Sequence, residues 1–307
     1  MIPFLVIASL AAWAAGPVSS PSRAPGETGE WARVGVPFSL SISERREEQR
    51  DPSAPDGKSK IVFETQLTLH GRFVREDMNG RRALAVCADS ITFVSRRPLA
   101  YRTFLSADTM YYHAPGGRAV IDPTALPAVD TMLACLFCGP ALRAHLAAGG
   151  AVDSLQYLKA ECQSGEFQRV NMPVTLGFFL PDSPTLAAEE GARWLALRNL
   201  PLFSGVPFHP AAEIRWHAVD TDHGQATVVF SADSTFGRRK TTLANGEEAV
   251  IIRDRVRVGG TLVLERVAAL PVSGEVRIRE RMEILRPQLG PDPVIKYGEY
   301  TIRIRTK

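Results

Sequence analysis

The sequence predicts a mainly β fold (a β-rich α+β class), with two antiparallel sheets and a helical segment between them. Three observations carry this. Long segments alternate apolar and polar residues with the period of two expected of half-buried strands. Turn pairs punctuate them at Asn79-Gly80, His223-Gly224, Asn245-Gly246, Gly259-Gly260 and Ser273-Gly274. Between the two strand blocks, Leu126, Val129, Met132, Leu133, Leu136 and Phe137 recur at the three- and four-residue spacing of a helix face.

Residues 1–15 carry no charge and many large apolar groups, ending in Ala12-Trp13-Ala14-Ala15, which reads as a secretory signal peptide. Gly16-Pro17 stops the apolar run short of the roughly 20 residues that a membrane-crossing helix needs. The expected mature chain therefore has no transmembrane helix and is exported, to the periplasm or cell envelope. Residues 16–30, rich in Ser, Pro and Gly, read as a flexible leader.

An N-terminal β unit is expected over 31–123. Its first strand covers 34–43, followed by a charged loop at 44–60. Strands follow at 61–75, 81–95 and within 99–113. The helical segment is placed at 124–150, as a helix broken by Gly139-Pro140 and a second short helix at 141–148. Connecting strands and loops fill 151–210: strands at 152–159, 173–180 and 194–198, and a short helix at 185–190. The C-terminal antiparallel unit spans 211–307. Within it Val276, Ile278, Met282 and Ile284 share one face, and Arg277, Arg279, Arg281 and Glu283 the other. Val250, Ile252, Val256 and Val258 likewise oppose Arg253, Arg255 and Arg257, and Ile302 and Ile304 oppose Arg303 and Arg305. An internal match marks the two units as candidate copies of one unit. Val62-Phe63 is followed by Gly71-Arg72 and Asn79-Gly80, and Val229-Phe230 by Gly237-Arg238 and Asn245-Gly246, with the same spacing from Gly to Asn in both.

A chain of 307 residues with net charge +3 is too nearly neutral to argue for nucleic acid, and no nucleic-acid-binding motif is present. Catalytic spacing is absent too: no Gly-x-Ser-x-Gly elbow and no phosphate-binding glycine loop. No cofactor and no metal are expected. His209, His217, Asp220, Asp222 and His223 are ligand types, but they stand in hairpin-loop composition and read as turn residues. The four cysteines, Cys87, Cys135, Cys138 and Cys162, read as structural disulfides or buried thiols of an exported protein, with three pairings open. The pair Cys135-x-x-Cys138 ends a predicted helix, whereas a reactive pair usually begins one. The arginine face formed by Arg253, Arg255, Arg257, Arg277, Arg279 and Arg281 is a candidate surface for an anionic partner. Its simpler reading is a solvated face with cross-strand pairs to glutamates.

The segment Gly259-Gly260-Thr261-Leu262-Val263-Leu264-Glu265, then Val272-Ser273-Gly274-Glu275-Val276, resembles hairpins of exported half-barrel proteins of the lipoprotein-carrier (LolA/LppX-like) kind. The resemblance covers mainly residues 210–286. It implies curved sheets that enclose, with a helix, a cavity for acyl chains. The function expected is an exported, non-catalytic binding protein whose partner is an apolar or lipid-like ligand. The alternative is a structural or interaction module that meets another envelope protein; an unrecognised hydrolase ranks below both.

Overall fold

The structure, a computed structural model, describes residues 35–49, 60–78, 81–97, 100–106, 109–121, 142–147, 149–157, 172–200, 211–222, 224–242, 248–287 and 291–307. Alternation of apolar and polar side chains builds long strands from both ends of this set. At the N-terminal end are β1 (Val36–Gln49), β2 (Lys60–Met78), β3 (Arg81–Arg97), β4 (Tyr101–Ser106), β5 (Met110–Ala114) and β6 (Gly117–Ile121). Next come β7 (Leu142–Leu146), β8 (Val152–Tyr157), helix α1 (Met172–Phe179), helix α2 (Ser183–Ala187) and β9 (Arg193–Arg198). The C-terminal end supplies β10 (Ala212–Thr221), β11 (Gln225–Phe236), β12 (Arg239–Thr242), β13 (Glu248–Glu265), β14 (Leu270–Leu285) and β15 (Val294–Thr306).

The mainly β class is as expected, and the two strand blocks join into one antiparallel sheet. Its order is β6-β5-β4-β3-β2-β1-β15-β14-β13-β11-β10-β9. The join is the pairing of the first strand with the last, in which Leu40 opposes Ile304 and Ile42 opposes Ile302. Three strands branch off the path: β12 pairs the start of β13, and β7 pairs both β3 and β8. Long β3 and β13 thus change partners along their length, which lets one sheet hold fifteen strands.

One hydrophobic core runs across both halves. It takes Phe38, Leu40 and Ile42 from β1, Phe73 from β2, Val228 and Phe230 from β11, and Tyr300, Ile302 and Ile304 from β15. Helix α1 is apolar all round, as a helix must be to sit inside a core. Its Leu176, Phe178 and Phe179 are buried there. The Phe178 ring meets Phe230 edge-on at 5.2 Å and lies 6.1 Å from Trp216. Asp182 caps α2 by accepting the Thr185 N–H at 3.0 Å.

Several expectations give way. The strand expected at 173–180 is replaced by α1, Met172–Phe179: a short apolar run has no period of its own, and Pro173 is tolerated in a first turn. Of the segment expected as a second helix, Leu142–Leu146 is β7. Leu142 and Ala144 are buried, while Arg143 reaches out to Glu76 at 2.8 Å. Cross-strand partners on β3 and β8 override the local helical preference. Residues 122–141, which hold the rest of the helical call, lie outside the described residues. β1 continues through Glu44–Gln49, where a loop was expected, because its charged side chains find partners across the sheet.

Gly259-Gly260 and Ser273-Gly274 are not turns. β13 and β14 run straight through them, and the reversal falls at residues 266–269, with Ala269 at φ +54°. Both glycines make room for aromatic rings. A Cβ on Gly260 would stand 2.6 Å from the Phe230 ring, and one on Gly274 2.7 Å from the Phe179 ring. Gly71 receives Phe38 in the same way, at 2.9 Å. In the internal match, Gly71 is thus a packing position inside β2, while Gly237 lies in the link between β11 and β12. Near the start of β13 a bulge between Ile251 and Arg253 shifts the alternation, so Ile251 is buried and Ile252 is turned out.

Candidate functional site

The two faces of the central strands differ in kind. On the outer face the arginines alternate as expected, and most are neutralised locally. Asp233 on β11 takes Arg255 at 2.7 Å and Arg257 at 3.2 Å. Glu275 on β14 takes Arg277 and Arg303, each at 2.6 Å. Arg279 meets Glu299 at 3.0 Å, and Arg281 pairs with Glu283 and lies over the Tyr297 ring. The guanidinium of Arg255 holds the Asp233 carboxyl down to about 2, with Arg257 assisting. Hydrogen bonds from Arg303 and Arg277 likewise lower Glu275. Arg253 and Arg305 have no described ion pair. Cross-strand pairing is therefore what the arginine face mainly does.

The inner face holds a feature that alternation alone did not bring out: a group of ionisable side chains between the main core and a smaller apolar cluster of Ala249, Ile251, Met282 and Ile284. Asp254 of β13 has no solvent exposure, and Glu280 of β14 is buried. Registers place Asp254 in a row with Met282, Lys296 and Glu48, and Glu280 in the next row with Gly298 and Arg46. Arg239 of β12 donates to Asp254 Oδ2 at 2.6 Å, and the Tyr300 hydroxyl donates to Glu280 at 3.3 Å. Glu44 accepts from the Thr65 hydroxyl at 2.8 Å and lies 2.6 Å from Arg46 Nε. Glu48 lies 3.7 Å from Lys296 and 3.9 Å from Arg286. Burial raises the Asp254 carboxyl and lowers the Lys296 ammonium. It also pushes the Tyr300 phenol well up. Acids and bases are interleaved here, which makes the cluster a compensated network. A signal was present in the sequence: Glu280 shares parity with Ile278 and Met282, and Asp254 with Val256.

A second outer feature lies on β9–β11. Arg193 opposes His217, which opposes Val229; Leu195 opposes Arg215, which opposes Ser231. These six residues, with Trp194, Trp216 and Phe230, line a trough of about 450 Å³. Its floor is braced from inside by the Trp194 and Trp216 rings, stacked at 6.1 Å and an interplanar angle of 6°.

The remaining sequence candidates fall in three places. Cys87 is a buried free thiol on β3, raised to about 11 by burial and by the charges of Glu76 and Asp89. Cys135, Cys138 and Cys162 lie outside the described residues, as do His209, His223 and the signal segment. Asp222 does turn work: its Oδ1 accepts from the backbone N–H of Gly224 at 2.8 Å and from that of Gln225.

No protein-family model matches the chain, and no curated protein matches its sequence. Two solved structures align over most of its length. One is an outer membrane channel from Pseudomonas putida F1, at 5% identity and TM-score 0.21, covering 91% of this chain and 98% of that one. The other is the β domain of the Bordetella autotransporter BrkA, at 10% identity and TM-score 0.20, covering 89% and 100%. Likeness at this level carries no inference about fold or function, so the functional reading rests on the residues themselves.

Proposed function

We propose that this is an exported, non-catalytic binding protein of the cell envelope that works through the outer surface of its sheet. The observation that carries this reading is the filling of the inner face. Phe178 and Phe179 of α1 are buried in the core that the apolar strand faces share, and Gly274 is shaped to the Phe179 ring. A lipid on that face would have to displace α1 and leave its buried aromatic rings without partners. Native mass spectrometry of the chain isolated from membrane-containing cells tests the reading. The expected mass is that of the polypeptide alone, with no displacement of a fluorescent acyl probe. A retained lipid, or displacement of the acyl probe, would restore the carrier reading.

A further inference from the structure

We propose that the trough on β9–β11 binds the phosphate group of an organic phosphate ester. Its lining includes two arginines, a histidine and a serine from three strands, Arg193, Arg215, His217 and Ser231. The lining contains no carboxylate. This sets it apart from the arginine ladder beside it on the same sheet. The nearest acids toward that ladder are already committed. Asp233, two residues beyond Ser231, holds Arg255 and Arg257; Glu275, two strands from Val229, holds Arg277 and Arg303. Glu213, on the far side of Arg215, stands opposite Leu197 and outside the lining. No described ion pair ties Arg193 or Arg215.

The donor set fits a tetrahedral oxyanion better than a carboxylate. A carboxylate is satisfied by one bidentate guanidinium, whereas phosphate has oxygens enough for two arginines and a hydroxyl. Leu195, 59% exposed, and Val229 form an apolar flank in the same trough, which suits an organic body attached to the phosphate. The stacked tryptophans beneath fix β9 against β10, so the donors sit on a braced surface.

The test is calorimetric titration of the full chain with inorganic phosphate and glycerol phosphate, beside co-sedimentation with phosphatidylglycerol and phosphatidylcholine vesicles. The two arms separate a soluble ester from a lipid headgroup. Two variants are compared: R193Q/R215Q in the trough, and R279Q/R303Q, which removes the same charge from the ladder. Binding of glycerol phosphate or of phosphatidylglycerol vesicles is expected to weaken by about tenfold or more in the first variant and to change little in the second. No binding to any probe, equal loss in both variants, or loss only in the ladder variant would overturn the proposal. It rests on the outer-surface reading above, yet the two fail separately. A lipid found on the inner face with trough binding intact sinks only that reading, and an absent trough affinity with an empty inner face sinks only this one.

Discussion

Asp254 is the residue whose position is hardest to reconcile with an apolar face. It has no exposure, and one of its oxygens and two nitrogens of its partner Arg239 are buried without a hydrogen bond. Such a pair is weak evidence for stability when intact but costly to break on one side. Arg239→Met is therefore expected to destabilise the chain by about 3 kcal/mol at neutral pH, while R239M/D254L recovers most of that loss. The pH dependence has a definite sign. Burial raises the folded-state carboxyl above its ordinary value, so Asp254's contribution is fully present below that value and is lost as pH rises through the folded one. Urea midpoints of the Arg239→Met chain should approach those of the parent as the pH is lowered. A deficit that does not change with pH would show that Asp254 stays uncharged throughout. Glycine 274 is a second decisive residue. Gly274→Ala places a methyl 2.7 Å from the Phe179 ring and is expected to cost about 1–3 kcal/mol. Gly274→Ala combined with Phe179→Leu should fall short of the sum of the two losses in chemical denaturation, because the positions share one space.

Among the elements, β11, β13, β14 and β15 carry the charged ladder and β9 the exposed edge. Two of the ladder's acids, Asp233 and Glu275, have folded-state values below their ordinary ones. Their contribution is thus present above the unfolded carboxylate range, near pH 4, and is lost as pH falls through the depressed values. D233N/E275Q should flatten the acid limb of a stability-against-pH curve between about pH 4 and pH 2. An unchanged limb would mean that these exposed pairs are screened out, as many are. The strand β9 pairs only β10 among the described residues, and it turns Leu195 and Leu197 outward, with Leu197 73% exposed. Leu197→Lys should alter stability by no more than about 0.5 kcal/mol. It should lower self-association in light scattering, since a charge on a sheet edge discourages pairing with another chain.

At the scale of the whole molecule, the pairing of β1 with β15 makes one cooperative unit from two strand blocks. Ile302 and Ile304 lie in the shared core opposite Ile42 and Leu40. Ile302→Ala should cost about 2–5 kcal/mol and unfold both halves together. Peptide-resolved labelling of Cys87, on β3, and fluorescence of Trp194 and Trp216, on β9 and β10, should report the same urea midpoint. Separate midpoints would show two independent sheets. The outer face of β13–β15 bears arginines in water while the apolar face is covered by the protein's own side chains. That is the reverse of a membrane barrel, whose apolar band faces lipid. No described helix is long and apolar enough to cross a membrane.

By itself the sequence determined the mainly β class and the two faces of the central C-terminal strands, because alternation is a local property that the chain writes residue by residue. The arginine parity of β13–β15 and the hairpin at Asp222 were legible for that reason. Only the tertiary structure decided what the local signals left open. Gly260 and Gly274 look like turn residues until Phe230 and Phe179 arrive from elsewhere to fill the missing side chains. Residues 173–180 have no period, so the core around them chose a helix, and β3 with β8 chose a strand for 142–146. The trough gathers Arg193, Arg215 and Ser231 from three strands, and the buried network gathers Glu48, Asp254 and Lys296 from three others. Such convergence depends on register between distant segments, and register is set by long-range packing rather than by any single stretch of chain.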